Sequence, residues 1–141
     1  MTDADTEVVE QTLRIEAAPE TVWRYWTDPE RLTEWWGAGS MVLPRPGGAF
    51  VVEMREGPVM RGEFVELVPY ERLVFTFGWE PVDGVSLLEP GSTRVEVTLT
   101  PDGADTILTL RHSGLPTGET TEMHRSGWAQ FLPRLADAAR A

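Results

Sequence analysis

A change of hydrophobic period constrains this chain more than anything else in it. From Met41 to Ser113 apolar residues recur at every second position, whereas in "TGETTEMHRSGWAQFLPRLADAAR" they recur at helical spacing. "GGAFVVEMRE" alternates Phe50, Val52 and Met54 against Val51, Glu53 and Arg55, and "ERLVFTFGWE" sets Leu73, Phe75, Phe77 and Trp79 on one face. "STRVEVTLT" turns Val95, Val97 and Leu99 away from Arg94, Glu96 and Thr98; "DTILTLRHSG" turns Leu108, Leu110 and His112 away from Ile107, Thr109 and Arg111. Strands with one polar and one apolar face belong to an antiparallel sheet wetted on one side. "PVMRGEFVELVP" is strand-like with mixed faces, and a bulge is expected near Gly62. The closing segment predicts one long helix capped by Thr117 and bent at Pro133, with His124, Trp128, Phe131, Leu135 and Ala138 or Ala139 as its apolar stripe.

Two other patterns precede the sheet. After residues 1–6, read as a frayed acidic tail, Val9, Leu13, Ile15 and Ala17 alternate with Glu10, Thr12, Arg14 and Glu16 as a first strand. "APETVWRYWTDPERLTEWWGAG" then reads as two short helices. Pro19 suits a first helical position, Asp28 an N-cap and Pro29 a first turn. Leu32, Trp35 and Trp36 stand at i, i+3 and i+4 of the second helix, which Gly37 and Gly39 are expected to end. On a helix the adjacent tryptophans are about 100° apart, so both can face inward. The predicted order is strand, two short helices, about six strands and one long helix. A curved antiparallel sheet wrapped on the terminal helix covers both apolar faces. At 141 residues the chain fits one domain spanning residues 1–141.

Composition excludes several partners. The 23 acidic residues outnumber 12 basic ones, all arginine, for a formal net charge of -11. Such a chain is repelled by phosphate backbones and anionic membranes, so neither nucleic acid nor membrane insertion is expected. No stretch approaches the ~18 apolar residues of a membrane span, and no basic segment followed by an apolar run opens the chain, so a cytoplasmic protein is expected. There is no cysteine, and two histidines form no zinc motif; neither metal nor cofactor is expected. No nucleophile elbow exists, and the glycines of "PRPGGAF" precede a strand, as a turn rather than a phosphate cradle.

The element order, with "APETVWRYWTDPERLTEWWG", "GEFVELVPYERLVFTFGWE", "TLRHSGLP" and "HRSGWAQFLPRLAD", resembles the α+β helix-grip fold of the START-related and polyketide-cyclase superfamily, and within it the AHSA-like family. The resemblance spans Val9 to Arg140 and implies a deep cavity between the sheet and the C-terminal helix, holding a small hydrophobic or amphipathic molecule. The eukaryotic namesake of the family is a co-chaperone with a further domain for which this chain has no room. A homodimer is compatible with the reading.

The candidate cavity residues are Trp35, Trp36, Phe50, Met54, Phe75, Phe77, Trp79, His112 and Trp128 on inward faces, with Phe64 from the strand of mixed faces. Aromatic rings so placed either line a pocket or fill a core. Trp23 and Trp26 read as structural. His112 sits among leucines and either orients a ligand or acts as a general base; the bland alternative is a bond to a backbone carbonyl. His124 is either an interior partner or a surface residue. The residues 80–92 form a long loop that either covers the cavity or tucks its leucines into a rim. Three functions follow: a non-catalytic binding protein; a cyclase- or hydrolase-type enzyme with His112 and Glu63 or Glu66 as acid and base; or a co-chaperone-like interaction module.

Overall fold

The computed structural model describes residues 6–116 and 118–140. Its elements run β1 (Thr6–Ile15), α1 (Pro19–Thr27), α2 (Pro29–Leu32), β2 (Gly39–Val42), β3 (Ala49–Glu53), β4 (Val59–Val68), β5 (Arg72–Phe77), β6 (Thr93–Asp102), β7 (Asp105–Pro116) and α3 (Glu119–Ala139). The strands form one seven-stranded sheet in the order β1-β7-β6-β5-β4-β3-β2, antiparallel throughout. All neighbours but β1 and β7 are consecutive in sequence. The first strand therefore joins the sheet beside the last, and α3 packs across β1, β7 and α1. This is the helix-grip α+β fold.

The predicted alternation decides the core. Leu73, Phe75 and Phe77 of β5, Val95, Val97 and Leu99 of β6, and Leu108, Leu110 and His112 of β7 are all buried. All of these but His112 meet Trp128, Leu132, Leu135 and Ala139 of α3 and Val22, Trp23 and Trp26 of α1 in one apolar cluster. Two capping expectations hold: Pro19 starts α1, and the Asp28 carboxylate accepts a hydrogen bond from the Glu30 backbone N–H, satisfying an orphan donor of α2.

Three local expectations are corrected. Thr6 is already paired in β1, opposite Pro116, while residues 1–5 and the expected cap Thr117 lie outside the described residues. Helix α2 stops at Leu32, so Trp35 and Trp36 lie in a turn. There the Trp35 and Trp36 N–H groups both donate to the Leu32 carbonyl, at 3.2 and 3.0 Å. The reason is packing: a helix would splay the two indoles by about 100°, and the turn instead stacks them, with centroids 5.6 Å apart and planes at 29°. Gly37 then reverses the chain at φ +82°, where a Cβ would lie 2.5 Å from the Val52 side chain, and Gly39 opens β2 rather than ending a helix. The bulge expected near Gly62 is present as a register shift of β4 between Phe64 and Glu66. What Gly62 supplies is room, since a Cβ there would sit 1.8 Å from the Thr76 carbonyl oxygen of β5. Helix α3 continues through Pro133 without interruption.

Candidate functional site

The site is a cavity of about 420 Å³ where α3 leaves the sheet. Each wall comes from a different element. The turn after α2 contributes Trp36; the end of β3 and the turn after it contribute Met54 to Pro58; β5 and its extension contribute Phe77 and Trp79. From α3 come Met123, His124, Gly127, Trp128 and Phe131, spaced as one helical stripe and its neighbours. Leu87 of the long loop reaches the mouth and is half exposed, while Leu88 is buried beneath it. The Ser86 hydroxyl bridges the Trp79 and Leu88 carbonyls at 2.6 Å each, which fastens the loop to the wall.

Of the ten residues expected at the cavity, the fold brings together Trp36, Met54, Phe77, Trp79 and Trp128 on its lining. The other five lie behind that wall. Phe50 packs on Phe64 and Phe75, with centroids 5.0 and 4.4 Å apart, and Trp35 packs on Trp26 at 4.8 Å and donates its indole N–H to the Tyr25 carbonyl. His112 is fully buried behind Phe77 and Trp128. The turn from Arg55 to Pro58, Leu87, Met123, His124, Gly127 and Phe131 also line the cavity without having been among the ten expected residues. Some of these carried a signal: Met123 and Gly127 stand beside the predicted stripe of the last helix, and Leu87 belongs to the long loop expected either to cover the cavity or to tuck into its rim.

Both histidines are bound to tryptophans. The Trp79 indole N–H donates to His124 Nε2 at 3.0 Å, and the Trp128 indole N–H donates to His112 Nδ1 at 3.1 Å. An indole N–H can only donate, so each receiving nitrogen is unprotonated. The remaining ring nitrogens then carry the protons. His124 Nδ1–H donates to the Thr120 carbonyl at 2.7 Å; His112 Nε2–H donates to Thr93 Oγ1 at 2.9 Å, whose own proton goes to the Phe77 carbonyl at 2.7 Å. Both imidazoles are thus held neutral in opposite tautomers. Burial pushes His112 down to about 3, with the neighbouring His124 adding to the effect. Burial also lowers His124, opposed by its bond to the Thr120 carbonyl.

This geometry corrects the acid–base expectation. His112 has no free lone pair, and Glu63 and Glu66 are exposed, Glu66 bonding Arg72 at 2.8 Å. Neither glutamate faces the histidine. The inner wall is mainly apolar and neither nitrogen of His112 or His124 is free, while the charged Arg55 and Glu56 lie on the lining as exposed residues.

A model of the family described as Activator of Hsp90 ATPase homolog 1-like protein matches residues 16–140. Among curated proteins none matches the chain. Many solved structures do. The chain is 39% identical to an AHSA1-like protein from Rhizobium etli, covering 97% of this chain and 84% of that one with a TM-score of 0.76. It is 25% identical to a protein from Mesorhizobium loti, covering 94% and 96% with a TM-score of 0.78. It shares the fold of the Aha1 dimer from Colwellia psychrerythraea at 18% identity, covering 95% and 96% with a TM-score of 0.80.

Proposed function

We propose, since the chain belongs to the Activator of Hsp90 ATPase homolog 1-like family, that it is a non-catalytic binding protein for an apolar or aromatic small molecule. In this reading residues 1–141 act as one domain, and the ligand lies between the sheet and α3. One observation carries it: a cavity of about 420 Å³ walled by Trp36, Met54, Phe77, Trp79, Trp128 and Phe131. Pockets of roughly 300–1,000 Å³ with mostly apolar walls and few polar groups are the usual home of organic ligands. The lining rings also touch one another, Trp36 and Trp128 at 5.2 Å and Phe77 and Trp79 at 5.3 Å between centroids, so that side of the cavity is an aromatic wall. An enzyme reading is less favoured because a general base needs a free lone pair within reach of substrate, and His112 offers none.

The test is thermal melting against a panel of lipids, aromatic acids and polyketide-like compounds. A ligand at about 100 times its dissociation constant adds roughly 2.7 kcal/mol, a readily measured rise in the midpoint. The rise should be selective, and it should vanish in Gly127→Leu, which fills the cavity from α3 without removing any wall. No rise for any compound with the unaltered protein would count against the reading.

A further inference from the structure

Among the tryptophans around the cavity, the indole N–H groups have different fates. Trp79 donates to His124, Trp128 to His112 and Trp35 to the Tyr25 carbonyl. Trp26 Nε1 is sealed in the core without an acceptor. Trp36 Nε1 is neither bonded to a described residue nor among the sealed atoms, although Trp36 as a whole is only 3% exposed. Its ring is hemmed in by Trp35, Phe50, Phe77 and Trp128 at centroid distances of 5.2 to 6.3 Å. Trp36 is one of the residues that line the cavity.

We infer that Trp36 is the specificity-determining anchor of the cavity, its indole N–H selecting aromatic molecules that carry a hydrogen-bond acceptor such as a ring carbonyl oxygen. The inference rests on the small-molecule reading above and narrows its ligand class. His124, the other polar side chain of the inner wall, has both nitrogens engaged, so it offers a ligand neither a free donor nor a free acceptor. The Met54 N–H is likewise spent, on the Pro58 carbonyl at 3.3 Å. Arg55 and Glu56 stand exposed at the mouth, where water competes for them. A ligand donor, such as a hydroxyl, therefore loses its water without replacement inside, whereas one acceptor opposite Trp36 is compensated.

Fluorene and 9-fluorenone test this, because they share a flat tricyclic skeleton and differ only in CH₂ against C=O. Fluorene is the more apolar, so burial alone favours it. The expected result is the reverse order, with fluorenone bound roughly three- to tenfold more tightly, as one net hydrogen bond provides. In protein labelled with ¹⁵N at the indoles, the Trp36 N–H proton should move downfield with fluorenone and not with fluorene. The signal is identified by its loss in Trp36→Phe, in which the two compounds should bind in the order of their apolarity. Fluorene bound as tightly as fluorenone by the unaltered protein, with the Trp36 proton unmoved, would overturn the anchor and leave the pocket standing. Absence of binding by both compounds would overturn the aromatic-pocket reading itself, and the anchor with it.

Discussion

His112 shows how far a single position can be read. Alternation along β7 turned it inward, but its bonds to Trp128 and Thr93 join three elements and are invisible to local pattern. Those bonds fix its chemistry. A histidine kept neutral by burial binds fewer protons folded than unfolded, so its contribution is intact above the ordinary histidine range. It is lost as pH falls from about 6.5 toward about 3. His124, shifted the same way, adds to the loss. In urea titrations the unaltered protein should lose stability on the order of 1 kcal/mol per pH unit more steeply than His112→Gln between pH 6.5 and 4.5. Parallel curves would mean that His112 does not govern the acid response. Trp35 and Trp26 offer a second contrast, since both are buried but only Trp35 uses its N–H. Trp35→Phe should cost about 1 kcal/mol more than Trp26→Phe, which removes a donor already without a partner. Equal chemical-denaturation midpoints for the two variants would refute this.

Elements were legible where one period ran long enough. The strands with clear alternation and the stripe of α3 come straight from spacing, because a half-buried strand and a surface helix each expose one face. The turn holding Trp35 and Trp36 was misread because the local signal, apolar at i, i+3 and i+4, is that of a helix, and stacking of the indoles overrides it. β4 was ambiguous because its register shifts between Phe64 and Glu66, so its two halves do not share one alternation. Gly62→Ala tests the close approach of β4 to β5. With a Cβ 1.8 Å from the Thr76 carbonyl, strand β4 must move away from β5, and a loss of about 2–4 kcal/mol is expected by denaturant unfolding. On α3, nothing lies within 4 Å of a Cβ built at Gly127, so Gly127→Leu should raise the melting midpoint by replacing a helical glycine, a gain of about 1 kcal/mol. A lowered midpoint would mean that the cavity cannot take the side chain.

At the scale of the whole molecule, sequence indicated the fold and could not indicate the void. Inward-facing rings look alike in sequence whether they meet each other, as Phe50 and Phe75 do, or face an opening, as Trp36 and Trp79 do. Which occurs depends on how far α3 stands from β3 and β5, a distance set by the sum of many contacts. Charge is a second global property. The formal net charge of -11 is spread over a surface whose ion pairs are mostly exposed and individually worth little. Raising sodium chloride from about 10 mM to about 150 mM, which shortens the screening length to about 8 Å, should therefore raise the melting midpoint. A fall would show that attractive pairs outweigh the general repulsion. No described helix is long and apolar enough to cross a membrane.

The crowding of indoles has an optical consequence. Three of the chain's six tryptophans face the same small space, and the other three lie outside it. About half of the tryptophan absorption therefore arises beside the place where a guest would sit. An aromatic visitor within a few ångströms of Trp36, Trp79 and Trp128 would quench or shift their glow without any added dye. The protein carries its own occupancy gauge.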